Sequence, residues 1–93
     1  MTKLEIIERI NAIMADKAGI SPGDIAPEDF YDELGADSMQ CIEVLMEIEK
    51  EFAIDISSRR LINVSTMQNV YDLVEKELND TQEYINTIVN QKQ

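Results

Sequence analysis

Apolar residues recur at Leu4, Ile7, Ile10, Ile13, Met14 and Ala18, while Glu5, Glu8, Arg9 and Asp16 fall on other faces. Spacings of three and four gather such residues into one stripe of an α-helix, and Thr2-x-x-Glu5 has the form of a capping box. A first helix is therefore predicted over 3–17, with Gly19 as its stop. Residues 19–37 then hold all three glycines and both prolines, a long connection for a small domain. Ile20, Ile25, Phe30 and Leu34 are its candidate anchors. No Gly or Pro interrupts 38–53. A helical wheel there separates Ile42, Leu45, Met46, Ile48 and Phe52 from Gln40, Glu43, Glu47, Lys50 and Glu51. Met39 and Met46 sit at the border of the two arcs, and Glu49 falls inside the apolar one.

Ile54 and Ile56 alternate with Asp55, but the run is too short for a strand without a partner and reads as a loop. A short helix is expected over 58–63. Ser65-x-x-Gln68 opens a further helix, with Met67, Val70, Tyr71, Val74 and Leu78 on its inner face. Beyond Leu78, Asp80-x-x-Glu83 has the form of a new cap, yet Ile85, Ile88 and Val89 continue the stripe. A fresh helix and one unbroken helix both satisfy this pattern. The expected fold is all-α: a small bundle of three main helices plus one short helix, with a long loop between the first two. Residues 1–79 form the bundle in this reading and 80–93 a helical extension.

Composition narrows the chemistry. Ninety-three residues make one domain, and aromatic residues are only 5% with no Trp, which leaves little for a base-stacking platform. Nineteen acids against eight bases give a net charge of −11. Such a molecule repels nucleic acids and anionic membrane surfaces and attracts basic partners. Cys41 stands alone and fits a reducing compartment, and no histidine is present to serve as general base or metal ligand. With no secretory pattern at the N-terminus and no membrane-length apolar run, a soluble, cytoplasmic, monomeric protein is expected.

The sequence Asp37-Ser38-Met39 stands where the long loop meets the second helix. A serine at a helix N-terminus lies beside backbone N–H groups that lack intrahelical partners, where an attached anion is stabilised. The tripeptide alone serves equally well as an ordinary N-cap. The wider segment is more specific. Asp32-Glu33-Leu34-Gly35-Ala36-Asp37-Ser38-Met39, preceded by Phe30 and followed by an acidic amphipathic helix reaching Glu51-Phe52-Ala53-Ile54-Asp55-Ile56, closely resembles the acyl carrier proteins of the freestanding type. The resemblance runs from about Leu4 to Leu78. It implies that Ser38 receives 4′-phosphopantetheine from coenzyme A through a phosphopantetheinyl transferase, and that the chain is a carrier rather than an enzyme. It also implies a docking surface on the acidic helix, carried by matching position to Asp37, Met39, Glu43, Met46 and Glu49; Glu47 joins by its wheel position. Fatty acid, lipid or polyketide enzymes with basic docking surfaces are the implied partners, namely acyl–carrier ligases or synthases, ketosynthases and acyltransferases. An acyl pocket between the second helix and the later ones would fall to Ile48, Leu61, Val64 and Val70.

Eleven acids and one base, Lys50, lie within 21–56, so the acidic field is concentrated around Ser38. The sequence departs from the family in two places. Arg59 and Arg60 replace residues that are usually acidic in fatty-acid members, which points to specialised partner contacts or to local ion pairs. The segment 80–93 lies beyond the resemblance, and its apolar face either covers the bundle or meets a partner. Cys41 falls on the apolar side of the second helix and reads as a small core residue. Gly35-Ala36-Asp37-Ser38 favours acyl over peptidyl carriers, with an aminoacyl or D-alanyl carrier as the alternative. A different class, an unmodified acidic helical adaptor, is also compatible with the charge. A calcium sensor is not, because no segment has the required loop spacing.

Overall fold

The computed structural model describes residues 2–34, 38–56 and 64–91, with backbone alone at 31–32, 38–41, 84 and 89–91. Its elements are α1 (Lys3–Ala18), a 3₁₀ turn (Pro22–Asp24), α2 (Tyr31–Leu34), α3 (Ser38–Phe52) and α4 (Met67–Gln91). Among the described residues there is no strand. Thr2 caps α1 by accepting the Glu5 N–H at 3.2 Å. At the other end Gly19 adopts φ 71°, and its N–H and that of Ile20 both donate to the Ala15 carbonyl. That left-handed conformation is the one glycine adopts without a Cβ penalty.

The face of α1 that packs inward is Ile6, Ile10, Met14 and Ala15, with Ile7 and Ile13 partly covered. Leu4, expected on the stripe, is 64% exposed. At about 100° per residue it points roughly 160° away from Ile6, on which the i, i+4 series Ile6, Ile10, Met14 is centred. A similar correction applies to α3. Val44, Leu45, Ile48 and Phe52 are buried, whereas Ile42 is 58% and Met46 62% exposed. Met46 stands about 160° from Ile48 on the wheel, and Ile42 about 120°.

Helix α3 runs antiparallel to α1, and the two are bridged at their edges by Arg9–Glu51 at 3.3 Å and Lys17–Glu43 at 3.9 Å. Both pairs lie at the surface, with Lys17 partly covered, and add little stability. Helix α4 also runs antiparallel to α1, with Met67, Val70, Tyr71 and Val74 buried and the Tyr71 hydroxyl donating to Asn11 Oδ1. Burial raises the Tyr71 pKa above its usual 10.0, although the Asn11 contact works against the shift. After α3, Ala53 takes φ 53° and the chain turns back, so that Ile54 and Ile56 are both buried in a loop.

Of the four expected loop anchors, Ile25 is buried and Leu34 packs against the core, while Ile20 and Phe30 are exposed. The loop is held instead by its backbone. Phe30 and Thr66 form an isolated antiparallel bridge. The Met67 and Gln68 amides donate to the Asp29 and Pro27 carbonyls, each at 2.9 Å. Thr66, not Ser65, is the N-cap of α4: its hydroxyl accepts the Asn69 N–H, and Asn69 Oδ1 in return accepts the N–H groups of Ser65 and Thr66. The amides of Thr66, Met67, Gln68 and Asn69, the four that this helix start leaves unpaired, are thus all satisfied, and Val70 N–H on the Thr66 carbonyl begins the helical ladder. The expected short helix over 58–63 lies outside the described residues. The short helix that is observed, α2, stands in the long loop.

Helix α4 passes residue 80 without a break, which decides between the two readings of the tail. Its 25 residues span about 37 Å at 1.5 Å per residue, along a molecule measuring 50 × 26 × 20 Å. A cleft of about 340 Å³, lined by Lys3, Ile6, Glu75, Leu78, Asn79 and Gln82, marks the point where α4 runs past the start of α1. From Asn79 to Thr87 every residue whose side chain is described is exposed.

Candidate functional site

The backbone of Ser38 forms the first position of α3, a helix of 15 residues. Partial positive charge gathers at the N-terminus of such a helix, favouring an anion there. Short turn α2 packs beside α3 and ends at Leu34, four residues before Ser38. Along the outer side of α3, Ile42, Glu43, Met46, Glu47 and Lys50 are exposed in succession. Glu43 lies near Lys17, whereas Glu47 has no ion pair among the described residues. Glu49 is half-buried and differs from its neighbours: its carboxylate Oε2 accepts the Ile56 N–H at 3.2 Å, and its carbonyl accepts the Ile54 N–H. The acid that conflicted with the apolar arc thus closes the turn that follows α3.

A serine, an acidic helix and a loop clamped onto the last helix can be compared with known proteins. The family model for the phosphopantetheine attachment site matches residues 8–74. An acyl carrier protein of Chlorobium phaeobacteroides is 38% identical over 77 residues, covering 82% of this chain and 99% of that one. One from Thermosynechococcus vestitus is 35% identical over 75 residues, covering 80% and 93%. The chain belongs to the acyl carrier proteins. The crystal structure of an acyl carrier protein from Thermotoga maritima matches with a TM-score of 0.72 at 26% identity, over 85% of this chain and 93% of that one.

The prosthetic group of this carrier is 4′-phosphopantetheine, and the protein is a carrier rather than an enzyme. Its family meets phosphopantetheinyl transferases and biosynthetic enzymes. The residues present fit a covalently attached group of this kind: a serine opens a long helix, and the positions one and two turns on, Ile42 and Met46, are exposed. Among the described residues no helix is long and apolar enough to cross a membrane.

Several candidate residues fall elsewhere. Asp37, Arg59, Arg60 and Leu61 lie outside the described residues, and Ser38, Met39 and Cys41 are described by backbone alone. Ile48 and Val70 are buried in the common core and Val64 is partly covered. Met46 is a surface residue, which removes core packing as the reason for its apolar character. Sequence reading missed Ile42 and Phe30 as surface groups. The wheel angle from Ile48 contained the signal for Ile42; the exposure of Phe30 depends on a bridge to Thr66, 36 residues away, that no local pattern encodes.

Proposed function

We propose that Ser38 is the residue that carries the arm and that the outer side of α3 is where partner enzymes dock. The observation behind this reading is the register: Ser38 opens the helix whose exposed side presents Glu43, Met46 and Glu47. The Ser38 hydroxyl is the acceptor in the loading step, and the chain itself needs no general base because the transferase supplies the catalytic groups. When bound, the arm provides a thiol on which acyl groups travel as thioesters. Asp37, Glu43, Glu47 and Glu49 provide the negative field, and Met39 and Met46 the apolar contact. Fatty acid, lipid or polyketide enzymes of the cytoplasm, including ligases, ketosynthases and acyltransferases, are the partners this reading favours, with the carrier acting as a monomer.

The same reading assigns residues 1–79 to the carrier bundle and 80–93 to an appendage, supported by the exposure of every described side chain from Asn79 to Thr87. It assigns Arg59 and Arg60 to specialised partner contacts, which reversing both charges tests through transfer rates. Ile48, Leu61, Val64 and Val70 would shelter the acyl chain, since each CH₂ left in water costs about 0.8 kcal/mol. In that case the Tm of loaded carrier rises with chain length. The central experiment is intact mass before and after incubation with a phosphopantetheinyl transferase, coenzyme A and Mg²⁺. A gain of one phosphopantetheine on the wild type and none on Ser38→Ala is the expected result. An equal gain on Ser38→Ala rejects the assignment.

A further inference from the structure

Phe30 is a large apolar side chain left 49% exposed, yet its backbone is among the most firmly held in the loop. It bridges to Thr66, its carbonyl accepts the Glu33 and Leu34 amides, and the carbonyls of Pro27 and Asp29 are bonded to the start of α4. Asp29 Oδ2 further fixes the turn by accepting the Ala26 N–H at 2.8 Å. The ring is therefore presented on a prepared platform, which lowers the ordering cost of any contact made there.

Beside it lies a cleft of about 430 Å³ lined by Glu28, Asp29, Phe30, Glu33 and Leu34. Its walls combine an aromatic ring, one leucine and three carboxylates, with no basic residue. An apolar partner leaves the Glu28 and Glu33 carboxylates unmatched, and a bare cation makes no use of the ring. Arginine suits both, because its guanidinium stacks on an aromatic face while its N–H fork bonds carboxylates. The cleft is also close to the proposed attachment point: four peptide steps separate Leu34 from Ser38, a reach of at most about 14 Å. An enzyme acting at the far end of the arm can stand off from this corner. The enzyme that installs the arm must bring its reacting atoms to the Ser38 hydroxyl and so covers the neighbouring surface.

We infer that Phe30, flanked by Glu28 and Glu33, is a docking point for an arginine on the phosphopantetheinyl transferase that loads Ser38. This rests on Ser38 being the attachment residue. The test uses the transferase that loads the wild type, with full-length Phe30→Leu, Phe30→Trp and Glu28→Gln/Glu33→Gln proteins, each verified by circular dichroism and thermal unfolding. Phe30→Leu keeps apolar bulk but removes the π face; its loading kcat/KM is expected to fall at least about fivefold through KM, as is that of the double Gln variant, while Phe30→Trp stays near wild type. Loading of Phe30→Leu at the wild-type rate overturns the inference and leaves the Ser38 assignment intact, because mass is still gained. A mass gain on Ser38→Ala overturns the assignment beneath it.

Discussion

Glu49 shows how one side chain can satisfy a pattern that suggests something else. Its place on the acidic helix suits docking, while its carboxylate holds the Ile56 amide and its carbonyl the Ile54 amide. Glu49→Ala is therefore expected to destabilise the fold by about 1–2 kcal/mol in urea unfolding, against less than about 0.5 kcal/mol for exposed Glu47→Ala. Tyr71 gives a pH signature. Its pKa is raised in the folded state chiefly by burial, so the neutral phenol favours folding. That contribution is complete below the unfolded value near 10.0 and is lost as pH rises through the folded pKa. Wild-type stability should fall more steeply above pH 10 than that of Tyr71→Phe, measured by denaturant midpoints at each pH. At this scale the sequence was readable where angle alone decides, as for Ile10 or Ile48. It was silent where tertiary geometry decides: Glu49 also bonds amides five and seven residues on, in a turn that helical angle does not encode, and Phe30 is bridged to Thr66, 36 residues away.

Helix boundaries followed from local chemistry. Thr2 and Gly19 frame α1 as their residue types require, and the lack of Gly or Pro carries α3 to Phe52. The start of α4 was misread by one residue, because Ser65-x-x-Gln68 and Thr66-x-x-Asn69 are both capping patterns. The side chains decide between them: the Thr66 hydroxyl accepts the Asn69 N–H, and Asn69 Oδ1 accepts the amides of Ser65 and Thr66. The tail is a separate matter. Since every described side chain of α4 from Asn79 to Thr87 is exposed, truncation there should reduce the helical circular dichroism signal while changing the unfolding free energy by no more than about 0.5 kcal/mol. A larger loss shows that the extension covers the bundle.

For the whole molecule, the net charge of −11 sets how quickly partners arrive. The kcat/KM for loading is expected to fall steeply, on the order of tenfold, between 0.01 and 1 M salt as the Debye length shrinks from about 30 to about 3 Å. Steady-state loading across a salt series checks this, and a flat profile rules out electrostatic steering. Fold class and carrier chemistry were legible in the sequence because both are written locally, in helical periodicity and in the segment around Ser38. The clamp between the long loop and α4 was not. That clamp has a consequence for the order in which the molecule is made. Residues 27–30 leave the ribosome early, but the amides that hold them belong to residues 67 and 68. At about 5–20 residues per second, this platform stays unfinished for seconds, so if it guides the loading enzyme as inferred above, a nascent chain becomes a full substrate only after α4 has begun.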